Sequence, residues 1–181
     1  KKRHKFCKKT QNLRPFLPPL ILALCIKEFL LINIGFNFTT NDFRYCVIER
    51  LESNEIKLRE KQKISYPVAL SVAERSGWLD TQISLLLDKH SPDKVGYKLP
   101  LVLNSTKPIQ NSLYPLGILN LCCNNRNIPI THFTSQAINA TKFGLTKKDN
   151  VYEYVDSILG KHPPHWDKAT KDALLSAWFL L

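Results

Sequence analysis

The sequence contains no methionine and no pair of cysteines at CxxC spacing; its five cysteines, Cys7, Cys25, Cys46, Cys122 and Cys123, are odd in number. That pattern argues against a zinc ribbon or a disulfide framework, and favours a reducing compartment over a secretory one. Neither a GxGxxG turn nor a GxxxxGK(S/T) loop occurs, which removes the common nucleotide cradles. No apolar run is long enough to span a bilayer: the longest, residues 20–34, is interrupted by Lys27 and Glu28. The basic start at residues 1–5 does not read as a secretory signal, because Pro15, Pro18 and Pro19 intervene and no cleavage site follows. Internal repeats and low-complexity tracts are absent. Acidic residues are scarce, 15 against 26 Lys and Arg, for a net charge of +11. A surface with that imbalance attracts polyanions, nucleic acid first and anionic membrane second.

What is present is ordinary for a globular domain: 44% hydrophobic and 23% charged residues in 181 positions. That length supports one domain with a core large enough to need no staples. Residues 1–19 form a basic, proline-punctuated arm, either a solvated tail or a nucleic-acid contact, and residues 20–181 form the domain.

Residues 29–35 are almost continuously apolar and end at Gly35, the pattern of a strand buried on both faces. Residues 43–50 read as a second strand after the Asn41-Asp42 turn, and residues 55–60 alternate strictly as a third. The period then lengthens. Val68, Val72, Leu79, Ile83, Leu86 and Leu87 make a helical stripe over residues 68–87, stopped at residues 90–93. Residues 100–104 read as a short buried strand, 113–123 as an apolar helix and 128–133 as another strand. Thr134-Ser135-Gln136 can open a helix; residues 151–159 make a helix capped by Gly160, and Asp167 caps a last one over 168–181. An antiparallel meander followed by alternating β and α predicts a mixed sheet with helices on both faces.

Basic residues come in clusters: Lys57, Arg59, Lys61 and Lys63 on the third strand, then Lys142, Lys147 and Lys148, then Lys168 and Lys171. Such runs are often solvated faces, but Lys57 and Arg59 at period two make a stripe, and these nine residues are the candidate phosphate contacts. His162, His165 and Asp167 could ligate a metal, but Pro163-Pro164 favours an extended loop carrying Trp166, and neither a metal nor a cofactor is expected. No spacing links Ser and His into a hydrolytic triad.

The element order resembles the α/β ribonuclease H-like fold, and within it the Holliday junction resolvases of the RuvC and fungal mitochondrial type. Residues 31–37 with 43–49 are similar to that family's first hairpin; residues 130–148 resemble its last-strand segment; residues 171–177, Lys-Asp-Ala-Leu-Leu-Ser-Ala, resemble its final helix. Residues 102–115, with Ile109-Gln110-Asn111-Ser112, an aromatic and Pro115, are similar to the metazoan mitochondrial transcription elongation factor family. The resolvases hold divalent ions between four carboxylates. The resemblance places Asn33, Asn104, Ala169 and Asp172 at those positions, one acid out of four. Mg²⁺ needs hard anionic ligands, so the resemblance implies a pseudonuclease without catalytic residues.

It further implies a partner of the mitochondrial RNA polymerase in the matrix nucleoid. Such a factor binds DNA and/or RNA, not a membrane, and carries a helix-hairpin-helix region upstream. It also implies a homodimer, for which Leu113, Leu116 and Leu119 are candidate interface residues; the alternative is that they are core. Competing readings are an intron-splicing pseudoresolvase, an active junction resolvase, and a structural protein of a mitochondrial ribonucleoprotein.

Overall fold

The computed structural model describes residues 31–100 and 113–181. The basic arm and most of the strand expected at 100–104 lie outside the described residues. The described elements are β1 (Leu31–Phe38), β2 (Asp42–Arg50), β3 (Ile56–Ser65), α1 (Val72–His90) and β4 (Lys94–Lys98). After them come α2 (Tyr114–Asn125), β5 (Ile130–Phe133), a 3-10 turn (Ala140–Phe143), α3 (Val151–Leu159) and α4 (Lys168–Trp178). The strands form one sheet in the order β3-β2-β1-β4-β5. The β1–β2 and β2–β3 pairs are antiparallel, the β1–β4 and β4–β5 pairs parallel. This is the mixed sheet the sequence predicts.

Alternation along β1 and β2 sorts apolar side chains between two cores, β1 contributing to the first and β2 to both. Ile34, Phe36 and Phe38 join Leu79, Ile83 and Leu87 of α1 and Leu116, Leu119 and Cys123 of α2 on one face. On the other face Cys46 and Ile48 of β2 meet Val151 and Val155 of α3 and Ala173, Leu174 and Ala177 of α4. Central β1 is covered on both sides, but only its α1 face is apolar. The face under α4 carries Asn33, Gly35 and Asn37, so within the strand the pattern alternates and is not the continuous apolar run expected for residues 29–35.

Several boundaries move, each for a local reason. α1 begins at Val72, because Ser71 and Glu74 form a reciprocal capping box, and Val68 is left 97% exposed. It runs straight through Gly77, where a Cβ would meet nothing within 4 Å. A strand not expected from the sequence, β4, occupies Lys94–Lys98. The helix expected from Thr134 is replaced by turns and the single 3-10 turn capped by Asn139. Both Cys122 and Cys123 are buried, the first against Asp80 and Ser84 of α1. The caps at Gly160 and Asp167 stand as expected.

Candidate functional site

α4 crosses β1 and β4 in register with both. Along β1, Asn33 Nδ2 donates to the Ala177 carbonyl at 3.4 Å, Gly35 abuts Ala173, and Asn37 Nδ2 donates to the Ala169 carbonyl at 2.9 Å. Along β4, Lys94 Nζ donates to the Leu180 carbonyl at 2.8 Å, Gly96 abuts Ser176, and Lys98 Nζ meets Asp172 Oδ2 at 2.5 Å. A Cβ at Gly35 or Gly96 would overlap the helix backbone. The paired glycines therefore set how closely α4 lies on the sheet.

This ladder decides which residues share a site. Asn37, Lys98, Ala169 and Asp172 gather at the C-terminal ends of β1 and β4, where Tyr152 of α3 also donates its hydroxyl to Asp172 Oδ1 at 2.8 Å. Asn33 does not join them. It is fully buried beneath Ala177, five residues further along the helix and so about 7.5 Å of helical rise from Asp172. Its Oδ1 has no hydrogen-bond partner among the described residues. The first-strand amide that accompanies Asp172 is therefore Asn37, whereas the resemblance to the resolvase hairpin points to Asn33. No sequence motif singles out Lys98 or Tyr152, and Asn104 lies outside the described residues.

The cluster is chemically a closed salt bridge. Asp172 is 3% exposed in its side chain and is engaged on both oxygens. Burial first, and then the bond to Asp172, push the Tyr152 phenol well above its usual range, so it stays a hydrogen-bond donor. A pair of divalent ions needs several anionic oxygens facing an open space. Here an ammonium sits on the one carboxylate, and the neighbouring strand offers an amide already bonded to a carbonyl. These residues do not fit such ions, and the described residues contain no group of three or more His, Cys, Asp or Glu able to hold a metal.

The structure divides the candidate basic residues. A β-bulge between Val47 and Ile48 of β2 opposes two residues on one side to three on the other, with Arg59 the extra one. The bulge puts the basic residues on its two sides on opposite faces of the sheet. Lys57 lies opposite Glu49, and Arg59 pairs with that same carboxylate at 3.1 Å on the α1 side. Lys61 and Lys63 lie opposite Cys46 and Arg44, on the α4 side. The single stripe expected from period two is thus two separate pairs.

Lys61 Nζ donates to the Pro164 carbonyl at 2.5 Å, and Lys63 stands 3.5 Å from Asp42. Lys142, Lys147 and Lys148 are exposed before α3, and Lys168 is exposed over the Tyr152 ring. Lys171 is committed elsewhere: it pairs with Asp156 at 2.7 Å and covers the Trp166 ring. Of the candidate interface residues, Leu116 and Leu119 are buried within the chain, at 5% and 0% exposure, because α2 turns them to the sheet. Leu113 is exposed, with Tyr114, Leu121 and, on α1, Leu85.

No protein-family model matches this chain, and no curated protein does. Among solved structures it is similar to Thermus thermophilus RuvC in complex with a Holliday junction substrate, at 17% identity and a TM-score of 0.66, covering 82% of this chain and 91% of that one. It is similar also to the yeast mitochondrial Holliday junction resolvase Ydc2, at 12% identity and a TM-score of 0.62, covering 81% and 76%. The class is therefore defined by architecture: a RuvC-like, ribonuclease H-like resolvase fold.

Proposed function

We propose that this chain is a non-catalytic nucleic-acid-binding protein of resolvase fold, which associates with the mitochondrial RNA polymerase in the nucleoid and supports transcript elongation. The observation that carries the non-catalytic part is the Lys98 ammonium 2.5 Å from Asp172 Oδ2, at the place where the fold gathers acids in the resolvases that the chain resembles. Nucleic-acid binding is supported by the net charge of +11 and by the exposed lysines at 142, 147, 148 and 168. The polymerase partner, the mitochondrial location and a homodimer rest on the likeness of residues 102–115 and of the fold's relatives.

The test has two parts. Incubation with a four-way junction and Mg²⁺ or Mn²⁺ should leave the junction intact; metal-dependent cutting would restore the active-resolvase reading. Capture of the tagged chain from mitochondrial extract should bring down the RNA polymerase. Recovery of ribosomes, or of intron RNA without polymerase, would favour the ribonucleoprotein or splicing reading. Binding of duplex DNA or RNA should weaken by orders of magnitude between about 50 and 200 mM salt if six or more phosphates are contacted.

A further inference from the structure

Between the outer edge of β3 and the loop that leads into α4 lies a cavity of about 290 Å³, lined by Lys61, Gln62, Lys63, Pro164, His165 and Thr170. We propose that this cavity seats one phosphodiester of a bound nucleic-acid strand. The proposal rests on the nucleic-acid-binding reading above and names the place where the backbone is held.

Three observations converge on it. The first is charge. Lys61 is anchored by the Pro164 carbonyl, a neutral acceptor, so its positive charge is not cancelled by that contact. Lys63 shares Asp42 with Arg44, and Arg44 in turn pairs with Asp167. Three cations thus face two carboxylates before His165 is counted, which leaves room for one anion. The second is backbone conformation. His165 has φ of 60°, the left-handed region that few non-glycine residues adopt.

The contacts of its loop are visible. Trp166 Nε1 donates to Asp156 at 2.7 Å, Lys171 lies over the Trp166 ring, and Lys61 grips Pro164 from the sheet. The loop is braced so that an imidazole stands beside two ammonium groups. The third is the kind of lining. It offers two ammonium groups, the Gln62 amide and an imidazole, with Thr170, 2% exposed, at its floor; its apolar surface is the ring of Pro164, and neither Trp, Tyr nor Phe lines it. The volume lies at the small end for ligand pockets. It suits a single tetrahedral anion contacted by point charges, which positions a strand without reading its sequence.

The full chain is titrated with labelled duplex DNA and with single-stranded RNA between about 50 and 200 mM salt, as wild type, Lys61→Gln and His165→Gly. In parallel, inorganic phosphate is added while the His165 ring is followed by NMR. His165→Gly is the informative variant: glycine accepts φ of 60°, so this protein should melt no lower than wild type. Both variants should lose roughly tenfold or more in affinity, as expected for loss of a hydrogen bond to a charged group. Lys61→Gln should also flatten the salt slope by one phosphate's worth, about 0.9 on duplex DNA or about 0.7 on single-stranded RNA.

Inorganic phosphate should shift the His165 ring in wild type and not in Lys61→Gln. The nucleic acid whose affinity falls identifies whether the strand is DNA or RNA. Wild-type binding with both variants unchanged overturns the phosphate seat and leaves the nucleic-acid reading standing. A phosphate-dependent shift with no nucleic-acid binding overturns the strand as the ligand. Failure of both measurements removes the seat and the underlying reading together.

Discussion

Lys98 Nζ lies 2.5 Å from Asp172 Oδ2, with side chains only 17% and 3% exposed, and Tyr152 completes the carboxylate's shell. Removing one partner of such a pair leaves a buried charge without compensation, which costs about 3–5 kcal/mol. Lys98→Ala should therefore lower the unfolding free energy by about that much in a urea titration, and Lys98→Met combined with Asp172→Asn should recover most of it. Tyr152→Phe should cost only about 1–2 kcal/mol, since Lys98 still neutralises Asp172. A Lys98→Ala protein as stable as wild type would mean that the ammonium is not what holds Asp172.

Gly35 and Gly96 are direct partners on neighbouring strands, and each lies beneath the α4 backbone. Either changed to alanine must displace α4 from the sheet, because the obstacle is a carbonyl of the helix and not a flexible side chain. The expected loss is about 3 kcal/mol or more, at the upper end for overpacking. Gly77→Ala is the matched control. It stands in the exposed middle of α1 with open space around it, and should gain about 0.5–1 kcal/mol. Thermal melting of the three proteins decides the matter.

Acid should unfold the domain through three carboxylates. Burial pushes each of them up, but the partners outweigh it: Lys171 and Trp166 at Asp156, the Thr170 amide and Arg44 at Asp167, Lys89 and Tyr45 at Glu60. All three are therefore held below the usual carboxylate range in the folded state. Their stabilisation is complete above about pH 4, the unfolded value, and is lost as pH falls through the folded values. His90 adds a loss of the same sign that starts near pH 6.5, because burial holds its folded value below the unfolded one. Unfolding free energy should fall monotonically from about pH 7 to pH 3, and Asp156→Asn should make the acid limb shallower.

Leu116→Glu and Leu119→Glu drive a carboxylate into the α2–sheet core and should abolish folding. Leu121→Glu, at a position 57% exposed, should leave the circular dichroism unchanged. Light scattering of that variant beside wild type then tests the homodimer. A wild-type dimer that becomes a folded monomer places the interface on the Tyr114–Leu121 side of α2. A wild-type monomer at high micromolar concentration excludes the dimer.

Local signals carry far in this sequence. The buried character of β1, the meander, the Asp167 and Gly160 caps and the basic excess are all properties of short windows, and each is legible because periodicity and capping act over a few residues. The strand β4 is hidden for an equally local reason: Lys-Val-Gly-Tyr-Lys has a glycine at its centre and charges at its ends, which reads as a break. Only in the folded protein does Gly96 admit the Ser176 carbonyl, while Lys94 and Lys98 reach Leu180 and Asp172.

The same holds for the site. Asn33 and Asn37 lie on one face of one strand, two alternations apart, and no local pattern says which of them meets Asp172; the crossing of α4 over β1 does. The four basic residues of β3 share a period of two in the sequence, yet one bulged residue at Arg59 sends Lys57 and Lys61 to opposite faces. Composition, strand period and helix caps were thus determined by residues close together in the chain. Register between distant elements was decided by packing, because a one-residue slip exchanges the faces of a strand and leaves its sequence pattern unchanged.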